Sequence, residues 1–180
     1  MSHRIFIAIP ISQPLQQEIL EWEKGFPQLP VRRLVGKNLH ITLVPPWYEE
    51  ESQITKCKAL IAEATSEFKP FGLKFARVTF GPDQREPRLI WAEGTAPKEI
   101  VELRDKLLRV FSRPAEKRTF KTHLTLARFR PETFSSFPVK NLDEKVYWPE
   151  KVSSVVLMES HLSRDGADYE VIAEAGLDQI

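Results

Sequence analysis

A chain of 180 residues with 42% hydrophobic and 28% charged residues has the balance of a globular domain, not of a disordered segment. No apolar run approaches the ~20 residues of a membrane-spanning helix, and Gln13, Pro14 and Gln16 interrupt the N-terminal segment before it reads as a signal peptide. A net charge of +1 selects no partner class by itself, and the lone cysteine, Cys57, excludes an internal disulfide and suits a reducing cytoplasm.

In chain order, Arg4 to Ile9 alternates and puts Ile5, Ile7 and Ile9 on one face of a first strand, with Phe6 on the other. Ser12 is a good N-cap and Pro14 is tolerated in a first turn. Leu15, Ile19 and Trp22 then recur at helical spacing up to about Lys24, before Gly25. Val31 to Val35 reads as a short strand, and Leu39 to Val44 as a longer one that Pro45 and Pro46 should end. A second helix is expected from about Ser52 to Glu67, with Cys57 as a small packed side chain. Strands follow at Leu73 to Phe80 and at Arg88 to Glu93. Pro97 opens a third helix whose buried stripe is Ile100, Leu103, Leu107, Leu108 and Phe111. Lys121 to Phe129 is a strand, Pro131 to Phe137 a short helix and Asn141 to Glu150 irregular. Val152 to Glu159 and Asp168 to Glu174 form strands around a Ser163-Arg164-Asp165-Gly166 turn. This order of elements predicts an α+β fold with mostly antiparallel pairing.

Two of these strands carry one pattern, His40-Ile41-Thr42-Leu43 and His123-Leu124-Thr125-Leu126. With 4 His and 9 Thr in the chain, roughly 0.2 His-x-Thr triplets are expected by chance, so two copies with matching apolar residues are a signal. Strand parity puts His40 with Thr42, and His123 with Thr125, opposite the leucines and isoleucine. Facing one another, the strands would converge two imidazoles and two hydroxyls on one volume, a kit for acid–base work on a phosphodiester. Thr42 and Thr125 could donate to nonbridging phosphate oxygens. Arg128 could grip phosphate bidentately, but strict alternation turns it away from His123, so a bulge or strand end must re-aim it.

Cations cluster at the motifs. Arg32, Arg33 and Lys37 lead into the first with no acid from Val31 to Leu43; Arg118, Lys121, Arg128 and Arg130 surround the second with none from Lys117 to Pro131. Local positive potential suits an anionic substrate. His3 and His161 stand apart from any metal-ligand spacing, and the 7 glycines form no phosphate loop, so neither a metal nor a nucleotide cofactor is expected. Among the aromatics, Phe6 has the parity to reach a cleft and stack a base.

The paired motifs resemble the signature of the 2H phosphoesterases, and most closely that of the RNA 2′,3′-cyclic phosphodiesterases, also described as 2′-5′ RNA ligases. The resemblance extends to Arg4-Ile5-Phe6-Ile7-Ala8, Arg88-Leu89-Ile90-Trp91-Ala92, Ala127-Arg128, and Glu159-Ser160-His161-Leu162 with Gly166 and Tyr169. Arg33 and Gly36 stand where many relatives have Trp and Pro. The resemblance implies a bilobal fold over residues 1–180, two mostly antiparallel sheets facing across a central cleft with helices outside, as one domain of two pseudo-symmetric lobes. It also implies metal-independent opening of RNA 2′,3′-cyclic phosphate ends to 2′-phosphomonoesters. In that scheme His40 is the proton donor to the leaving 3′ oxygen, His123 the proton acceptor from water, and Arg128 a phosphate ligand. Sequence alone does not tell the two histidines apart. Reversible 2′-5′ RNA ligation and RNA binding without turnover are the alternative readings. The expected partner is a cyclic-ended RNA, with no membrane, and the expected state a cytoplasmic monomer.

Overall fold

The computed structural model describes residues 2–34, 36–114, 119–164 and 166–178. The end of the expected strand at Val35, the basic side chain of Arg118 and the turn residue Asp165 lie outside the described residues.

Nine strands and three helices are described, in the order β1 (Ser2–Pro10), α1 (Gln13–Glu23), β2 (Arg32–Arg33), β3 (His40–Glu50), α2 (Glu51–Thr65), β4 (Phe71–Gly81), β5 (Leu89–Gly94), α3 (Lys98–Val110), β6 (His123–Arg128), β7 (Asp143–Val152), β8 (Ser154–Ser163) and β9 (Gly166–Gly176). Short 3₁₀ turns occupy Gly36–Asn38 and Pro131–Ser136. The strands form two sheets, ordered β3-β1-β8-β9 and β2-β6-β5-β4-β7, and every neighbouring pair is antiparallel. The fold is therefore α+β with one motif strand in each sheet.

The alternation read from β1 decides the layering. Ile5, Ile7 and Ile9 are buried in the main core with Leu43, Ile61, Phe75, Leu103, Leu107, Leu124 and Leu126, so one apolar body runs beneath both sheets. Each such side chain stabilises the fold by roughly 1.5–3 kcal/mol relative to exposure. Phe6 and Ala8 point the other way and form a small second cluster with Val156, Met158 and Tyr169. Helix α2 packs on β3, β8 and β9, α3 on α2 and β3, and α1 on β7.

Helix α1 starts where Ser12 Oγ accepts from Leu15 N at 3.4 Å, and Pro14 sits in its first turn. Ser12 is also tied to β7, donating from N and Oγ to the two carboxylate oxygens of Glu150 at 2.9 and 2.7 Å. Burial raises the pKa of Glu150, and these two bonds oppose the rise.

Three sequence expectations change. Strand β3 does not end at Pro45-Pro46 but continues to Glu50. It is an edge strand, and its register with β1 slips between Ile5↔Trp47 and Ile7↔Val44, so the prolines sit in a bulge where no ladder donor is required. The segment read as irregular, Asn141 to Glu150, is largely β7, an edge strand with Trp148, Glu150 and Val152 inward. Its interspersed Pro149 and charged residues hid the period. Of the strand expected over Val31 to Val35, the described residues form one only at Arg32–Arg33.

Candidate active site

Strands β3 and β6 belong to different sheets yet lie beside each other, which brings the two motifs together. Each imidazole is held in the same way. His40 Nδ1 donates to the carbonyl of Asn38 at 2.8 Å, and His123 Nδ1 to the carbonyl of Lys121 at 3.0 Å. A carbonyl can only accept, so Nδ1 carries the proton in both rings and Nε2 is left for a reactant. Each ring also rests on an aromatic from the neighbouring strand, His40 on Phe6 at 4.9 Å and His123 on Trp91 at 4.8 Å, both tilted by 47°. Gly81 makes room beneath the second pair, since a Cβ there would meet Trp91 Cε2 at 2.5 Å.

The two motif strands share a further device. β1 pairs Ile7 with Val44 but Ala8 with Thr42, leaving Leu43 as an extra residue; β5 pairs Ile90 with Ala127 but Trp91 with Thr125, leaving Leu126 extra. The fourth motif residue is thus a bulge in both sheets. In β6 the consequence is chemical: Leu126 and Ala127 are both buried and Arg128 emerges exposed on the face of His123 and Thr125. Its counterpart in β3 is Pro45, so only one lobe supplies an arginine at this place. Arg128 has no carboxylate partner among the described residues. Thr42 and Thr125 are half-buried, and neither hydroxyl has a protein hydrogen-bond partner among the described residues.

The lobes differ in solvation. Burial lowers the pKa of His40 to about 4, against the upward pull of its bond to Asn38, and the charges of Arg128 and His123 push it lower still. His40 is therefore neutral near pH 7. That its proton affinity responds to Arg128 and His123 places all three side chains in one electrostatic field.

Phe6 has the cleft-facing parity expected of it, but it is only 2% exposed, covered by His40 and by Tyr169, whose ring meets Phe6 at 5.1 Å and His40 at 5.1 Å. A base cannot lie on a ring without a free face; Phe6 supports His40, and the less buried Tyr169 is the aromatic open to a ligand. Asn38 and Tyr169 complete the setting of His40, because Asn38 Oδ1 accepts from Tyr169 N at 3.2 Å. Asn38 two residues before the histidine was the sequence signal for this role, legible only once β9 is in place. Of the basic residues near the first motif, Lys37 pairs with Asp168 at 2.9 Å, and Arg33 donates to Phe26 O and approaches Glu23 at 3.8 Å. A pocket of about 280 Å³ opens beside His123, lined among others by Trp91, Glu93, Phe120, Lys121 and Thr122. Among the described residues no group of three His, Cys, Asp or Glu side chains converges as a metal site, and no helix is long and apolar enough to cross a membrane.

Two antiparallel sheets that each present one His-x-Thr-x strand to a shared cleft define the chain as a 2H phosphoesterase. A family model described as the 2′-5′ RNA ligase superfamily matches residues 11–164, and the chain belongs to that superfamily. It is similar to the RNA 2′,3′-cyclic phosphodiesterase of Bacillus subtilis, with 32% identity over 127 residues, 68% of this chain and 69% of the relative. It is also similar to the protein of that name from Methanocaldococcus jannaschii, 24% identical over 95% of this chain and 99% of the relative. In structure it resembles Escherichia coli LigT complexed with 3′-AMP, at a TM-score of 0.78 and 23% identity over 99% of this chain and 100% of that one. TT0787 of Thermus thermophilus also matches at 0.78, with 20% identity over 98% and 100%. The chain is an enzyme of this class, so binding without turnover is set aside.

Proposed function

We propose that this enzyme hydrolyses RNA 2′,3′-cyclic phosphate ends to 2′-phosphomonoesters without a metal. The observation that carries the reading is the matched presentation of His40 and His123, each fixed at Nδ1 and offering Nε2 to the same cleft. His123 Nε2 takes a proton from water as its oxygen attacks phosphorus, and His40 Nε2 gives a proton to the departing 3′ oxygen. Thr42, Thr125 and Arg128 hold the nonbridging oxygens as charge builds on them. His40 is neutral before substrate arrives, so the proton it donates must be gained with the substrate. The phosphodiester anion supplies the reason, since it offsets Arg128 and favours the imidazolium. An imidazolium that is costly to hold is a strong acid once formed.

The low proton affinity of His40 also favours a second reading, in which the roles are exchanged and neutral His40 is the base. Leaving-group chemistry separates the two. Each His→Ala variant should lose about 10²–10⁴-fold in kcat/KM on a cyclic-ended oligonucleotide. On 4-nitrocatechol cyclic phosphate, whose phenolate leaves without a proton, H40A should recover most activity and H123A should not. The opposite pattern assigns the acid to His123. Activity that vanishes in EDTA and returns with one divalent metal would overturn the two-imidazole mechanism altogether. The pocket beside His123 could admit a sugar hydroxyl in place of water, giving 2′-5′ ligation by the same steps. Adding a 5′-hydroxyl acceptor strand and analysing products tests that direction.

A further inference from the structure

Next to Arg128, and sharing no lining residue with the pocket beside His123, lies a second pocket of about 290 Å³, of whose walls the proposed reaction at phosphorus uses only Arg128. Its walls include Arg4 from β1, Arg32 from β2, Arg128 from β6 and Tyr169 from β9, with no carboxylate among the described lining residues. Arg32 and Arg128 are direct cross-strand partners in the β2–β6 ladder, so two guanidinium side chains share one face at adjacent positions. Arg4 has the parity of Phe6 and Ala8 on β1 and joins them from the other sheet, steadied by a neutral partner, Ser160 Oγ, at 2.7 Å. Arg32 is laid along the β8–β9 hairpin, where Nη2 donates to Ala167 O at 3.1 Å. Gly166, at φ 115°, is what lets it lie there: a Cβ at that residue would overlap Arg32 Nη1. Two sheets and a hairpin therefore gather three cations around one space beside an aromatic ring.

We propose that this pocket is a second phosphate subsite, which takes the internucleotide phosphodiester one nucleotide 5′ of the cyclic end. The proposal rests on the hydrolase reading above and narrows its substrate to oligoribonucleotide ends in preference to free cyclic mononucleotides. Arg128 stands between the two phosphates, Arg4 and Arg32 hold the outer one, and Tyr169 lies beside the terminal nucleoside. Arginine suits this place because its planar donors meet phosphate oxygens bidentately.

The test compares a 2′,3′-cyclic mononucleotide carrying a 5′-hydroxyl with a dinucleotide ending in the same cyclic nucleotide, for wild type, Arg4→Gln and Arg32→Gln. Wild type should favour the dinucleotide by about tenfold or more in kcat/KM, the worth of one charge-assisted phosphate contact, and the preference should shrink as salt rises. Each variant should lose most of that preference through KM, while its rate on the mononucleotide stays at the wild-type value and shows that it is folded. Equal loss on both substrates, or retention of the preference, would overturn the subsite. If wild type hydrolyses neither substrate, the hydrolase reading fails by itself. The subsite is then judged by fluorescence anisotropy, with a labelled dinucleotide displaced by the cyclic mononucleotide bearing or lacking a 5′-phosphate, the group that stands in the place of the internucleotide phosphodiester. The variants should lose the affinity that this added phosphate confers, and an unchanged difference would end the proposal.

Discussion

At the scale of single residues, the candidate active site is two near-copies of one arrangement. His40 and His123 share their tautomer, their aromatic support and a threonine two residues on, and burial lowers the pKa of His40 to about 4. That shift predicts how the rate depends on pH. The low-pH limb of kcat/KM reports the free enzyme and should carry the low pKa of His40. Arg128 contributes to that depression, so Arg128→Ala should move this limb to higher pH while also lowering kcat/KM. Thr125→Val should cost on the order of 10²-fold without moving either limb, as expected for loss of a phosphate donor that does not titrate. A pH–rate series on wild type and both variants checks this; an unmoved limb in Arg128→Ala would detach Arg128 from His40.

At the scale of elements, the bulges at Leu43 and Leu126 and the cap at Ser12 place the chemistry and secure the frame around it. Ser12 is far in sequence from β7 but holds Glu150 by two hydrogen bonds while capping α1. Ser12→Ala should remove the cap and one bond to a buried carboxylate, and lower stability by about 1–3 kcal/mol in urea unfolding. Activity at 25 °C should be unchanged, because none of these groups borders the cleft. A stability equal to wild type would show that water replaces the hydroxyl without loss.

At the scale of the molecule, one apolar core under both sheets predicts a single cooperative unfolding transition, the same by circular dichroism and by tryptophan fluorescence. Two separated transitions would mean that the lobes unfold independently. The stability should also depend on pH through His40. Its pKa is about 4 in the fold and near 6.5 unfolded, so the unfolded chain binds more protons between these values. Its contribution is present above pH 6.5 and is lost as pH falls towards 4, by at most about 3 kcal/mol given the ring's partial exposure. His3, raised by its bonds to Glu159 and Glu51, acts with the opposite sign, adding stability below its unfolded pKa that is lost as pH rises through the folded one. Comparing wild type with His40→Gln at pH 7 and pH 5 isolates the first effect, and an identical pH dependence in both would refute it.

Local pattern was enough to reveal the two motif strands, the three helices, and the sharing of a face by histidine and threonine, because strand and helix periods are properties of neighbouring residues. It also stated the condition on Arg128, that something must break alternation, but could not say where. That break depends on which residue of β5 stands opposite which residue of β6, and register is set between strands. Edge position likewise decided that Pro45 and Pro46 stay within β3, and that β7 pairs despite its irregular sequence. The burial of Phe6 required Tyr169 from β9, and the three-arginine pocket required residues 4, 32 and 128 to meet. Alternation told the chain which way each side chain points; only packing two sheets together decided what it points at, and how much water remains there to hold a charge.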